Sequence, residues 1–207
     1  MHKIDHLVYA TPALERGIAE IEALTGVRAS AGGQHVAWGT HNALASLGTG
    51  VYLEIIAPDP VQPRPSGPRP FGLDGLLQSR LVTWAARCGD LDHVVHTAAQ
   101  HGVLLGEILS GNRIRSDGVV LAWRLTSPWS LLEGGLIPFL IDWGSSPHPA
   151  ASAAKGLSLV DLRAEHSSPQ ALTRTLALLD VDLAVTQEPH NALVATIDSP
   201  LGRIELR

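Results

Sequence analysis

Apolar and polar residues alternate over 3–10, KIDHLVYA, the two-residue period of a half-buried strand. Thr11-Pro12 follows and reads as an N-cap with proline at the first helical position. Leu14, Ile18 and Ile21 then recur at i, i+4 and i+7, one face of an amphipathic helix that Gly26 ends. Three further strands are expected over 35–39, 43–48 and 51–57. The unit is strand, helix, strand, strand, strand.

The same pattern returns twice, and a repeat of this kind decides the fold. A second unit spans 81–144. Its first strand is LVTWAARC (81–88), Asp90 is its cap, and Leu91, Val95 and Ala98 form its helical face. Strands fit 119–126 and 137–144, with 105–110 a candidate for another. A third unit spans 156–207, with a strand over 156–164, Ser168-Pro169 in place of Thr11-Pro12, and Leu172, Leu176 and Leu179 as its helical face. Its later strands are expected at 184–187, 192–198 and 203–207. Residues 58–70, PDPVQPRPSGPRP, are too rich in proline for a central strand or a helix. Residues 144–155 are small and polar, as in a linker. The predicted fold is α+β: repeated βαβββ units forming curved sheets around a cavity, a helix behind each. Residues 1–150 would form one domain from the first two units (1–57 and 81–144).

A chain of 207 residues can bury about 70% of its unfolded surface and needs no staples. At 45% hydrophobic and 17% charged residues, it is not a disordered chain. The single Cys88 excludes a disulfide framework or a cysteine-rich zinc module. A net charge of -5 leaves no basic footprint for nucleic acid. No apolar run is long enough to span a membrane, and Asp5 and His6 interrupt any leader-like apolar segment. A cytoplasmic protein handling a small-molecule ligand is expected. Thirteen Arg against two Lys point to a GC-rich bacterial genome.

The motifs IDHLVYAT (4–11), GGQHVAWGTHNALASLG (32–48), YLEIIAPDP (52–60), PFLIDWG (138–144) and SPLGRIEL (199–206) carry a resemblance. The chain resembles the vicinal oxygen chelate superfamily (the glyoxalase, bleomycin-resistance and extradiol dioxygenase fold), and within it the glyoxalase-like domain proteins. The resemblance implies that two units pair into a curved sheet around a cavity. It also implies a divalent metal on the cavity floor, held from the first and last strand of each unit. His6 and Glu54 match those positions. In the second unit the first-strand position falls on Thr83 or, two residues on, Ala85. Asp142 is read as the counterpart of Glu54, because LID matches YLE; a cavity ligand and a structural hydrogen-bonding role both remain open for it. In the third unit Glu205 matches through IEL, but Arg163 or Ala164 stands at the first-strand position, and an Arg163–Glu205 ion pair is the simpler expectation. Either trio, His6 and Glu54 with Asp142 or with Glu205, offers one nitrogen and two oxygens to Zn, Mn, Fe or Mg.

His35 and Asn42 match the subfamily motif, and His41 occupies its variable position; all three are candidate substrate-binding residues. His93 and His96 fall off the buried face of their helix and are expected in solvent. Cys88 is expected to be inert. Trp84 and Trp143 have the strand parity that points away from the cavity, toward the helices. Arg113, Arg115 and Arg124 cluster and could meet an anionic substrate. Units one and two are expected to enclose the cavity, units one and three being the alternative. The third unit would then expose an apolar face, which a homodimer would seal. The resemblance implies a lyase or isomerase, metal-dependent with Glu54 and Asp142 as catalytic carboxylates, acting on a small oxygenated metabolite. The alternative is a non-catalytic, bleomycin-resistance-like binder with a degenerate metal site.

Overall fold

The alternating segment at the N-terminus becomes β1 (Lys3–Ala10), followed by α1 (Leu14–Thr25), β2 (Ser30–His35), β3 (Thr40–Ser46) and β4 (Tyr52–Pro58). The second run is β5 (Arg80–Arg87), α2 (Leu91–Gln100), β6 (Ile108–Ile114), β7 (Val120–Thr126) and β8 (Phe139–Asp142). The third is β9 (Ser158–His166), α3 (Pro169–Leu178), β10 (Ala184–Gln187), β11 (Ala192–Ser199) and β12 (Gly202–Leu206). The computed structural model describes residues 1–114 and 118–207, so Arg115 lies outside the described residues. No helix among them is long and apolar enough to cross a membrane.

The first two runs join in one eight-stranded sheet, ordered β2-β3-β4-β1-β5-β8-β7-β6. β1 and β5 are antiparallel at its centre, and each pairs in parallel with the last strand of its own run. The sheet curls until its end strands, β2 and β6, touch. Arg113 on β6 closes that gap by donating from Nη1 to the Gly32 carbonyl on β2. Alternation then gives two apolar faces. Val8, Ile56, Phe139 and Ile141 pack inside the curve, while Leu7, Trp84 and Leu140 pack behind it with Ile18 and Ile21 of α1. Trp84 takes the expected outward direction and donates from Nε1 to the Leu136 carbonyl at 3.0 Å.

The third run forms its own sheet, β10-β9-β11-β12. Its apolar face is not left open. Leu162, Ile197 and Leu206, with Leu172 and Leu176 of α3, belong to the same buried cluster as Leu7 and Ile21. The residues of opposite parity form an ion-pair ladder. Arg163 Nη2 lies 2.9 Å from Glu205, as expected, and Arg207 Nη1 lies 2.6 Å from Glu165. The reason for expecting a dimer, an uncovered apolar face, is therefore corrected: this chain covers it.

Local expectations shift where glycine or tertiary contacts intervene. Residues 36–38 form a 3-10 turn, not a strand, because Gly39 turns the chain at φ 61°. The α1 N-cap is Ala13; Thr11 instead donates to the Ala13 carbonyl and accepts from Ser79. Asp90 caps α2 by accepting from the His93 amide at 3.1 Å. His93 and His96 are exposed and Cys88 is buried.

If the third run shares the main core, Leu176→Ala removes about 2–5 kcal/mol from one cooperative urea transition of the whole chain. A separate early transition confined to 156–207 would contradict the shared core.

Candidate functional site

β1 carries a bulge: Ile4 pairs with Ala86 and His6 with Ala85, so Asp5 is the extra residue. Bulges re-aim side chains, and this one brings neighbours that alternation would separate into contact. Asp5 Oδ1 lies 2.9 Å from His6 Nδ1. Asp5 is fully buried and also accepts from Arg87 Nε at 2.9 Å, Trp143 Nε1 at 3.1 Å and His148 Nε2 at 3.1 Å. Burial alone would raise its pKa. Hydrogen bonds from His148 and His6 outweigh burial and hold the carboxyl far below the usual carboxylate range. An ionised Asp5 can only accept, so His6 donates to it from Nδ1, and in the neutral imidazole the lone pair is then on Nε2. His148 is fixed likewise: its Nδ1 accepts from the Ala150 amide at 3.3 Å, which leaves Nε2 to donate.

His6 Nε2 faces Glu54 Oε2 at 3.7 Å. Tyr52 stacks on the imidazole at 4.6 Å between ring centres, and Phe139 meets it edge-on at 5.4 Å. Glu54 Oε1 accepts from Asn42 Nδ2 at 2.5 Å. Asn42 can come this close to β2 because residue 32 is glycine; a Cβ there would lie 2.1 Å from Asn42 Oδ1. His35 completes the row, with Nδ1 3.0 Å from Thr40 Oγ1 and Nε2 3.4 Å from Asn42 Nδ2. Burial, with the Arg113 charge, lowers its pKa to about 4, so His35 is neutral near pH 7. β1, β4, β3 and β2 thus lay His6, Glu54, Asn42 and His35 side by side on the floor of a hollow.

The walls are apolar and aromatic: Trp38, Phe71, Trp123, Leu125, Phe139, Ile141 and Trp143, with buried Arg113 also in the lining. About 30 Å³ of space remains inside. Phe71 holds its ring there from a left-handed backbone at φ 59°, a strain of order 1–3 kcal/mol tolerated because its surroundings over-determine it.

Of the candidate residues, the structure brings His6, Glu54, His35 and Asn42 together. Asp142 is not among them. Tyr52 is the parallel partner of His6, and Phe139 is the parallel partner of Ala85. Two residues on, Glu54 therefore corresponds to Ile141. A one-residue slip in the comparison flips the face: Asp142 points out of the hollow and accepts from the Gly144 amide at 2.9 Å. For the same reason Trp143 faces the hollow, against expectation. His41 follows Thr40 on β3 with opposite parity, and its Nδ1 lies 3.9 Å from Asp59. Arg124 pairs with Asp92 on the surface at 2.9 Å. Sequence reading missed Asp5, Phe71 and His148. The acid beside a histidine in IDH was the one available signal for Asp5; nothing local marks the other two.

A four-ligand metal floor would need donors at Ala85 and Ile141, where this chain has only aliphatic groups. No group of three or more His, Cys, Asp or Glu among the described residues could hold a metal ion. His6 and Glu54 are one nitrogen and one oxygen, short of the three or four protein ligands of resident zinc sites. This donor set does not fit a resident divalent metal.

Two outcomes follow from this geometry. Ala85→His with Ile141→Glu should create a site, read as stoichiometric Co²⁺ absorption that the unaltered protein lacks; no gain would refute the pairing of Ala85 with His6 and of Ile141 with Glu54. Asp5→Asn should cost about 3–5 kcal/mol at neutral pH in denaturant titrations. Because Asp5 is depressed in the fold, its contribution is full above the ordinary Asp pKa of about 3.9 and is lost as pH falls below it. The variant's stability should accordingly fall less steeply in acid.

The model of the glyoxalase-like domain family matches residues 4–179. No curated protein sequence matches the chain. Among solved structures, a hypothetical protein from Staphylococcus aureus superposes with TM-score 0.62 at 15% identity, covering 99% of this chain and 84% of that one. Methylmalonyl-CoA epimerase from Mycobacterium tuberculosis gives TM-score 0.44 at 19% identity, covering 72% of this chain and 91% of that one. The first of these likenesses is one of fold and carries no chemistry. The family match spans both the curled sheet and the motifs that build its floor, and the chain belongs to the glyoxalase-like domain family.

Proposed function

We propose that the hollow moves a proton along one face of a small hydroxy-carbonyl compound, an isomerase-type reaction. The observation that supports this is His6 Nε2, the nitrogen left by the Asp5 contact at Nδ1, standing 3.7 Å from Glu54 Oε2 in a hollow walled by aromatic and aliphatic side chains. A histidine so oriented is a general base, and a low-dielectric wall strengthens its interactions. His6 Nε2 takes the proton from the carbon beside the carbonyl. The C–H electron pair becomes the C=C bond of an enediolate, and the carbonyl pair moves to oxygen. Glu54 carries the hydroxyl proton from one oxygen to the other, while His6 returns its proton to the adjacent carbon. Both groups stand side by side on the floor, which suits a shift along one face and not inversion between two faces. Arg113, in the lining of the same hollow, is the cation that would face the developing oxyanion. Asn42 fixes Glu54, and neutral His35 fixes Asn42. The residues supply the proton transfers without a metal ligand set.

A second reading rests on Ala85 and Ile141, which leave the floor half aliphatic: the protein would bind and sequester its ligand without turning it over.

The test is deuterium uptake from D₂O at carbon, followed by proton NMR with glycolaldehyde, hydroxyacetone and lactaldehyde. Uptake above the buffer rate, lowered about 10²–10⁴-fold by His6→Gln or Glu54→Gln and unchanged by EDTA, is expected. Binding without uptake for all three would replace proton transfer with sequestration.

A further inference from the structure

About 30 Å³ inside the hollow holds little more than one or two waters, so it admits only the reacting end of a ligand. The hollow adjoins a much larger space of about 650 Å³, lined by β2, the turn over Val36–Trp38, β6 and Trp123 of β7. That volume is in the range of small-molecule sites. His35, Trp38, Arg113 and Trp123 line both spaces, so a ligand with its head on the floor would pass between the two indoles and place its body in the outer cleft.

The chemistry of the cleft wall points to what that body is. The chain has nine aromatic residues, and six of them line the hollow. Both indoles at the junction contact the His35 ring, Trp38 at 5.6 Å and Trp123 at 6.0 Å between centres. Trp38 is only half-buried. Trp123 lies on Gly111 of the neighbouring strand; a Cβ there would come within 2.5 Å of the indole, so glycine is what lets the ring lie against the cleft wall. Among the described lining residues of the cleft there is no Asp, Glu or Lys, and Arg113 is the one with a permanent charge. Indole faces lining such a space favour a flat π system.

We infer that the outer cleft is a binding subsite for a planar aromatic body, so that the ligand is an aryl compound carrying its hydroxy-carbonyl head into the hollow. From the proton-transfer reading this takes only the position of the head.

The experiment is calorimetric titration with three probes sharing one head: 2-hydroxyacetophenone, its cyclohexyl counterpart and hydroxyacetone. The aryl probe should bind at least about tenfold more tightly than hydroxyacetone. It should also bind about threefold to tenfold more tightly than the cyclohexyl probe, which matches it in size but is not flat. Trp38→Ala, and independently Gly111→Ala, should bring the aryl-to-cyclohexyl ratio below twofold, whereas Trp38→Phe should keep it. Equal binding of the aryl and cyclohexyl probes, or a ratio that survives both alanine variants, would overturn the inference. Deuterium uptake at the head carbon, read on the same samples, separates the two claims. Uptake without aryl preference overturns the subsite and leaves proton transfer standing. Aryl preference without uptake supports the subsite and removes proton transfer.

Discussion

A single buried carboxylate organises this molecule. Asp5 is an ionised group with no exposure, and a charge in that position is stable only when its lone pairs are filled. Its donors come from β1, β5, the residue after β8, and the connector beyond: His6, Arg87, Trp143 and His148. The requirement to satisfy Asp5 therefore ties both halves of the curled sheet and the 144–155 connector to one point. It also sets the His6 tautomer, which determines which ring nitrogen meets the hollow.

The hollow divides its work between floor and wall. The floor is a polar row from the first run only: His6, Glu54, Asn42 and His35. The second run contributes Phe139, Ile141, Trp143, Leu125 and Trp123, which exclude water and shape the space. Where a symmetric pair of units could supply donors from both halves, this chain has kept donors in one and turned the other into an aromatic and aliphatic lining. That asymmetry leaves His6 and Glu54 facing each other with no donor side chains at the matching positions Ala85 and Ile141. The third run stands apart from this chemistry and contributes cover for the back of the main sheet.

Much of the fold was legible because strands and helices repeat their own periods locally. The β1 and β10 spans match their alternation, and the leucine spacing in α3 marks its buried face. Legibility failed where the deciding partner is far away. Phe71 follows a proline-rich connector and enters the hollow through a positive φ that no local pattern announces. His148 sits in a segment of small polar residues, yet its ring reaches Asp5, 143 residues earlier. Asp142 looked like the counterpart of Glu54 because the triplets match, but the ladder pairs Ala85 with Phe139 and so assigns that place to Ile141.

By itself, the sequence determined the order of strands and helices and their apolar faces, which follow from spacing along the chain, and it offered the four floor residues by motif among other candidates such as Asp142 and His41. It could not determine the bulge at Asp5, the face on which Asp142 and Trp143 fall, or the covering of the third run by this same chain. Those depend on register between strands distant in sequence. Because strand side chains alternate with period two, a shift of one residue in that register reverses every inward and outward assignment, and only the assembled sheet fixes it.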